Sequence, residues 1–394
     1  MNKKTFTAAF TLKELKKTFL ITFLITLIIV LSPTSTQAFE VSDTIILGLY
    51  GGYYGVAYDS GKGEMYLTNG DFDLVYAISD STNTVITTIP VGRTPSGISY
   101  NPARGELFIT NFGSDSVSVI SDGNYTLVAT IPVGNQPMGI VYDSGKEEIY
   151  VANYGSDSVS VISDGNYTLV ATIPVGNQPS ALAYDPEKGE IFVGHSGCNQ
   201  ISVISDSSYT VIANITVENE PISVVYDPGK EEIYVANHGS DTVSVISNSN
   251  HTIVATIPVG NQPSALAYDS DNSQVYVANY YSFSISVISD NNHTVIATIP
   301  LEGPPQAIGY DYGKKEIFVA YSESYRVSVI AVPSHLSPSP SIPESPSPSP
   351  SISESSGPPI PECALFIVVS FLAITLLLAT ALYRRKYQIN KNSR

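Results

Sequence analysis

The chain has 394 residues, 43% of them hydrophobic, with no Trp and 26 Tyr, so a large core is available and tyrosine must supply much of its aromatic packing. The formal charge is −17, and ten of the 19 basic residues lie before residue 20 or after residue 383, leaving nine against 35 acidic residues in between. Such a surface repels phosphate and excludes nucleic acid as a partner, and two cysteines, Cys198 and Cys363, cannot form a disulfide framework.

Residues 1–38 read as a secretory signal. A Lys-bearing start leads into the apolar run Thr18 to Leu31, followed by the small-residue site Thr36-Gln37-Ala38. An uncleaved signal anchor is the alternative, but the run is short for a span needing roughly 20 residues.

Residues 40–332 then hold seven copies of one 42-residue unit. Tyr58, Tyr100, Tyr142, Tyr184, Tyr226, Tyr268 and Tyr310 mark its period, and an aromatic residue follows each of them eight positions later. The copies are dense in Val, Ile, Tyr and Thr with no helical period, which predicts an all-β seven-bladed β-propeller of four-stranded blades. In the third copy strands A to D fall at Met138–Tyr142, Ile149–Asn153, Ser158–Ser163 and Leu169–Val175. Asp164-Gly165-Asn166 carries the Asp-Gly chemistry of a tight hairpin between C and D. Strand D contains Pro90, Pro132, Pro174, Pro258 or Pro300 in five copies, which marks it as the outer edge and leaves A to line the centre. The seventh copy lacks a strand D of its own. Residues 41–48, VSDTIILG, resemble that strand and are expected to complete the last blade.

Residues 333–361 contain ten Pro in 29 positions and read as an extended stalk. Ala364 to Tyr383 is an uncharged stretch of 20 residues, the length of a transmembrane helix, and the basic tail 384–394 follows it. The positive-inside rule puts that tail in the cytoplasm and the propeller outside the cell.

The tetrapeptides YVAN at 150–153, 234–237 and 276–279, with the recurring ATIPVG runs, resemble the YVTN-repeat β-propeller family. The resemblance covers about residues 41–332 and implies a cell-surface protein of the archaeal surface-layer type. It is specific for fold and weak for activity. Pro361-Glu362 before the apolar stretch is similar to archaeal sorting signals carrying a Pro-Glu-Phe motif, with Cys363 standing where Phe would be.

The chemistry-bearing residues do not assemble a catalytic set. His195, His238, His251, His293 and His335 show no metal-ligand spacing and read as turn residues. Asp71 and Asp73 lack the rest of a calcium loop and read as a solvated B–C loop. No cofactor is expected. Gly113 to Pro137 is identical to Gly155 to Pro179 over 25 residues, and such sameness suits repeated shallow contacts better than one asymmetric active site.

Glycosylation sequons occur at Asn124, Asn166, Asn214, Asn250 and Asn292. Four of them, all but Asn214, recur in the C–D turn, on the face shared with the A–B turns. The opposite face carries Phe112, Tyr154, His238 and Tyr280 at one repeat position beside Asn-Gln-Pro segments, a set suited to glycan or protein partners in the cell envelope. These readings favour a non-enzymatic, membrane-anchored surface glycoprotein for envelope structure or adhesion. The alternative is an extracytoplasmic propeller enzyme, lactonase-like or quinoprotein-like, which a cluster of carboxylates with His or Asn in the central channel would favour. A sensor ectodomain is a third reading.

Overall fold

The computed structural model of the chain describes residues 39–322 and 324–333. The signal segment 1–38, nearly all of the stalk, the apolar stretch 364–383 and the tail 384–394 lie outside the described residues. Among the described residues, no helix is long and apolar enough to cross a membrane.

Seven four-stranded antiparallel sheets are present among the described residues, each ordered A-B-C-D. In blade 3 the strands are Pro137–Asp143, Glu148–Asn153, Ser158–Ser163 and Leu169–Pro174, within one residue of the expected bounds. Strand A of each blade packs beside strand A of the next, and blade 7 meets blade 1, so the ring is closed. The chain is a seven-bladed β-propeller.

Burial explains the order. Strand B is enclosed on both faces, and its Tyr66, Phe108, Tyr150, Phe192, Tyr234, Tyr276 and Phe318 are at most 1% exposed. Each of these rings fills a core shared by two blades. Phe108, Val119 and Ile131 of blade 2, for example, meet Ile140, Val151 and Ile162 of blade 3. Burying one such ring contributes about 1.5–3 kcal/mol. Strand D faces water except for the Ile before its proline, as with Ile89, Ile131 and Ile257. The prolines end strand D on the outer edge, where a missing ladder donor costs nothing.

Blade 7 is completed by the N-terminal strand Glu40–Gly51, which pairs antiparallel with Ser324–Ala331. Glu40 lies opposite Ala331 and Ile45 opposite Val327, with a bulge between Val41 and Asp43. Ile45 and Leu47 are buried at this seam.

The turns depart from the expectation of Asp-Gly hairpins. In the C–D turns the left-handed residue is not Gly123 or Gly165 but Tyr125 (φ 57°) and Tyr167 (φ 58°), with His251 and His293 in the same state. The loop is therefore longer than a two-residue hairpin. An αL conformation costs an L-residue roughly 1–2 kcal/mol, and the side chain at this position offsets that cost, as follows.

Candidate functional site

The disc has two chemically different faces. On the A–B/C–D face, the left-handed residue of the C–D turn reaches back to a glutamate of the preceding blade. Tyr125 Oη donates to Glu64 Oε1 at 2.7 Å, Tyr167 to Glu106 at 2.6 Å and Tyr209 to Glu148 at 2.6 Å. Burial and the glutamate push the Tyr125 hydroxyl up to about 12, so it stays a donor. His251 and His293 make the same reach, to Glu190 at 3.0 Å and Glu232 at 2.9 Å. These two histidines do lie in turns, but they work as latches between blades.

The sequons flank the latches. Asn124, Asn166, Asn250 and Asn292 are all exposed in C–D turns, and in each the sequon Thr hydroxyl donates to the Asn Oδ1 at 2.7 Å. The amide nitrogen of each is left facing water. Asn214 is different. It lies in strand D of blade 4 (Thr210–Thr216), exposed, and its Oδ1 accepts from Ser202 Oγ at 2.7 Å.

That contact belongs to the one blade whose strand B ends on His195. In four other blades the strand B amide, Asn111, Asn153, Asn237 or Asn279, donates to two strand C hydroxyls, as Asn153 does to Ser158 at 3.1 Å and Ser160 at 2.9 Å. His195 instead places Nε2 2.8 Å from Ser202 Oγ. It is a fully buried strand residue, not the turn residue expected, and burial lowers its pKa to about 4. It is a neutral imidazole at physiological pH.

The B–C/D–A face carries the candidate site. Phe112, Tyr154, His238 and Tyr280 are half-buried, each with its backbone N–H on the D–A connection, as Tyr154 N donates to Gln136 O at 3.0 Å. Phe112 and Tyr154 lie on neighbouring blades with ring centroids 6.3 Å apart, and Tyr280 packs edge-on against Tyr281 at 5.2 Å. His238 Nδ1 is 3.2 Å from Glu220 Oε2. Asp71 and Asp73 each commit one carboxylate oxygen to backbone N–H groups of this face. Asp71 accepts from Gly52 N and Asp73 from Thr94 N, both at 2.8 Å, and Asp115 and Asp157 hold Gln136 and Gln178 in the same way.

The four candidates do not converge on one point. His238 and Tyr280 border the central channel, whereas Phe112 lines a separate notch of about 520 Å³ with Asp115, Asn135 and Gln136. The channel itself holds about 560 Å³. Its wall is a ring of branched aliphatics, among them Val56, Ile98, Leu182 and Ile308, under a rim that includes Tyr54, Gln262 and Gln306. No aspartate or glutamate lines this cavity, and no group of three or more His, Cys, Asp or Glu able to hold a metal occurs among the described residues. Tyr54 and Gln306 escaped the sequence reading, whereas Gln262 belongs to the Asn-Gln-Pro segments expected on this face. Tyr54 was detectable as the one aromatic at a strand A position where other copies carry Ser, Met, Ile or Gln.

Gly97 shows how tightly that wall is built. A Cβ at Gly97 would come 2.3 Å from the Met138 carbonyl oxygen of the next blade. The same position is Gly55 and Gly139 in two other blades, where a Cβ would meet backbone oxygen at 2.4 and 2.7 Å.

No protein-family model matches the chain, and no curated protein matches it. Among solved structures, hydrazine synthase of Kuenenia stuttgartiensis is similar, with a TM-score of 0.65 over 72% of this chain and 96% of that one, at 19% identity. The likeness is one of fold. At that identity it carries no chemistry across.

Proposed function

We propose that the chain is a non-enzymatic cell-surface protein whose propeller serves envelope structure or adhesion by binding glycans or proteins through its B–C/D–A face. The reading takes the repeats to be of the YVTN surface-layer type, with residues 1–38 as a cleaved signal and 364–383 as the membrane anchor. It takes Asn124, Asn166, Asn214, Asn250 and Asn292 to be glycosylated.

The observation that carries it is the division of polar chemistry between the faces. Four exposed sequon amides stand in the C–D turns, while aromatic rings and amides gather on the face away from them. Rings beside amide and carboxylate groups suit sugar hydroxyls and C–H faces. The channel is lined by no aspartate or glutamate, and its Ser hydroxyls and His238 are set in an aliphatic wall without a carboxylate partner lining the cavity, which favours binding over catalysis.

The test is a triple variant, Tyr154→Ala, His238→Ala and Tyr280→Ala, displayed on cells. Adhesion to isolated envelope glycans or partner proteins is expected to fall at least about tenfold, the scale of 1.4 kcal/mol or more at a shared patch. Unchanged adhesion would remove this face from the proposal.

A further inference from the structure

Each strand A ends on an Asp or Asn that faces the C–D turn of the next blade. At four joints both partners are aspartates: Asp59 with Asp122, Asp143 with Asp206, Asp227 with Asp290, and Asp311 with Asp80. At two joints one partner is an amide. Asn101 Nδ2 donates to Asp164 Oδ2 at 2.8 Å, and Asn248 Nδ2 donates to Asp185 Oδ2. At the seventh joint Val332 replaces the second partner, and Asp269 Oδ2 accepts from Asn272 at 2.8 Å and Tyr276 at 3.0 Å.

Oδ2 of the strand A aspartate is buried without a hydrogen-bond partner in Asp59, Asp143, Asp227 and Asp311, the four double-carboxylate joints, whereas Asp185 and Asp269 have one. In the Asp185 joint the equivalent atom meets the Asn248 amide of the next blade. In the double-carboxylate joints the facing side chain offers no N–H donor to that atom. The Asp227 joint is the most exposed to this need. At the first and second of these joints a lysine forms an ion pair with the C–D carboxylate, Lys62 with Asp122 at 3.4 Å and Lys146 with Asp206 at 4.0 Å. Lys230 instead donates to Asn291 Oδ1 at 3.0 Å. Asp290 Oδ1 is also without a partner there, and both carboxylates are at most 2% exposed.

We propose that Asp227 and Asp290 share one proton, making the joint between blades 5 and 6 a pH-sensitive clasp in the ring. The groups packed against the pair are Tyr268, whose hydroxyl is 3.4 Å from Asp290 Oδ2 and lies beside Asp227 as well, Tyr234, Lys230, and behind Tyr234 the Glu232–His293 latch. Burial first, then Asp227, raises the Asp290 pKa above its ordinary 3.8. The folded joint therefore binds more protons than the unfolded chain above that value. Its contribution is complete in acid and is lost as pH rises through the folded pKa, when two buried carboxylates face each other.

The experiment measures thermal unfolding of the full chain in detergent at about pH 4 and about pH 7.5. Asp290→Asn copies the Asp185–Asn248 joint. It is expected to raise Tm by about 2–4 °C at the higher pH and to leave it unchanged at the lower. His293 is common to both chains, so its own titration cancels in the difference. Asn248→Asp creates a fifth double-carboxylate joint, and its expected Tm loss appears at the higher pH and recovers in acid. A Tm shift of Asp290→Asn that is absent or equal at the two pH values overturns the proposal. Should that variant not fold, a pH-independent loss in Asn248→Asp overturns it instead.

Discussion

At the scale of single residues, the turns carry more of the structure than their composition suggests. Tyr125 holds a strained left-handed backbone because its hydroxyl ties Glu64 of the preceding blade at 2.7 Å. Tyr125→Phe is expected to destabilise the protein by about 1–2 kcal/mol in chemical denaturation, the cost of one hydrogen bond to a charged group in a half-buried site. His195 makes a prediction of the opposite pH sense to the Asp227 clasp. Its pKa falls from 6.5 unfolded to about 4 folded because it is buried. The unfolded chain thus binds more protons between those values, and stability is lost as pH falls through that window. His195→Asn, which restores the amide of the other blades, should remove that loss, worth up to about 3 kcal/mol for a shift of this size. Denaturation midpoints at about pH 4 and about pH 7 for both chains measure it. None of these roles is legible in sequence. A histidine in a strand and a histidine in a turn look alike until the partner blade is in place.

At the scale of strands and blades, the periodic signal was sufficient. Prolines in strand D placed the outer edge and left strand A at the centre, and the absent seventh strand D pointed to the N-terminal segment. These features are fixed by hydrogen-bonding and burial rules that act within one copy. What one copy does not contain is the distance to its neighbour, so the close approach at Gly97 stayed hidden. Gly97→Val is expected to cost about 1–3 kcal/mol, because its side chain meets the Met138 carbonyl rather than open channel. The closure makes a larger prediction. Deleting residues 40–48 uncovers Val327 and Val329 and removes buried Ile45 and Leu47. Tm is expected to fall sharply, with self-association through the bare edge visible in size-exclusion chromatography. A variant as stable and monomeric as the parent would contradict the seam.

At the scale of the whole molecule, the fold was readable because seven near-copies repeat one message, and the site was not, for the same reason. Phe112, Tyr154, His238 and Tyr280 share a repeat position and a face. Only His238 and Tyr280 reach the channel, since the radial depth of a ring depends on what its neighbours leave open. Gly70 stands at that position in blade 1, and Tyr54 from strand A packs against it. The resulting picture is a disc with a sequon-bearing face and a face of rings and amides, proposed to stand outside the cell. Glycopeptide mass spectrometry of the protein purified from its native envelope addresses that picture most directly. The account predicts a mature chain beginning near residue 39 and glycans on Asn124, Asn166, Asn214, Asn250 and Asn292. An unprocessed chain with all of these amides bare would contradict it.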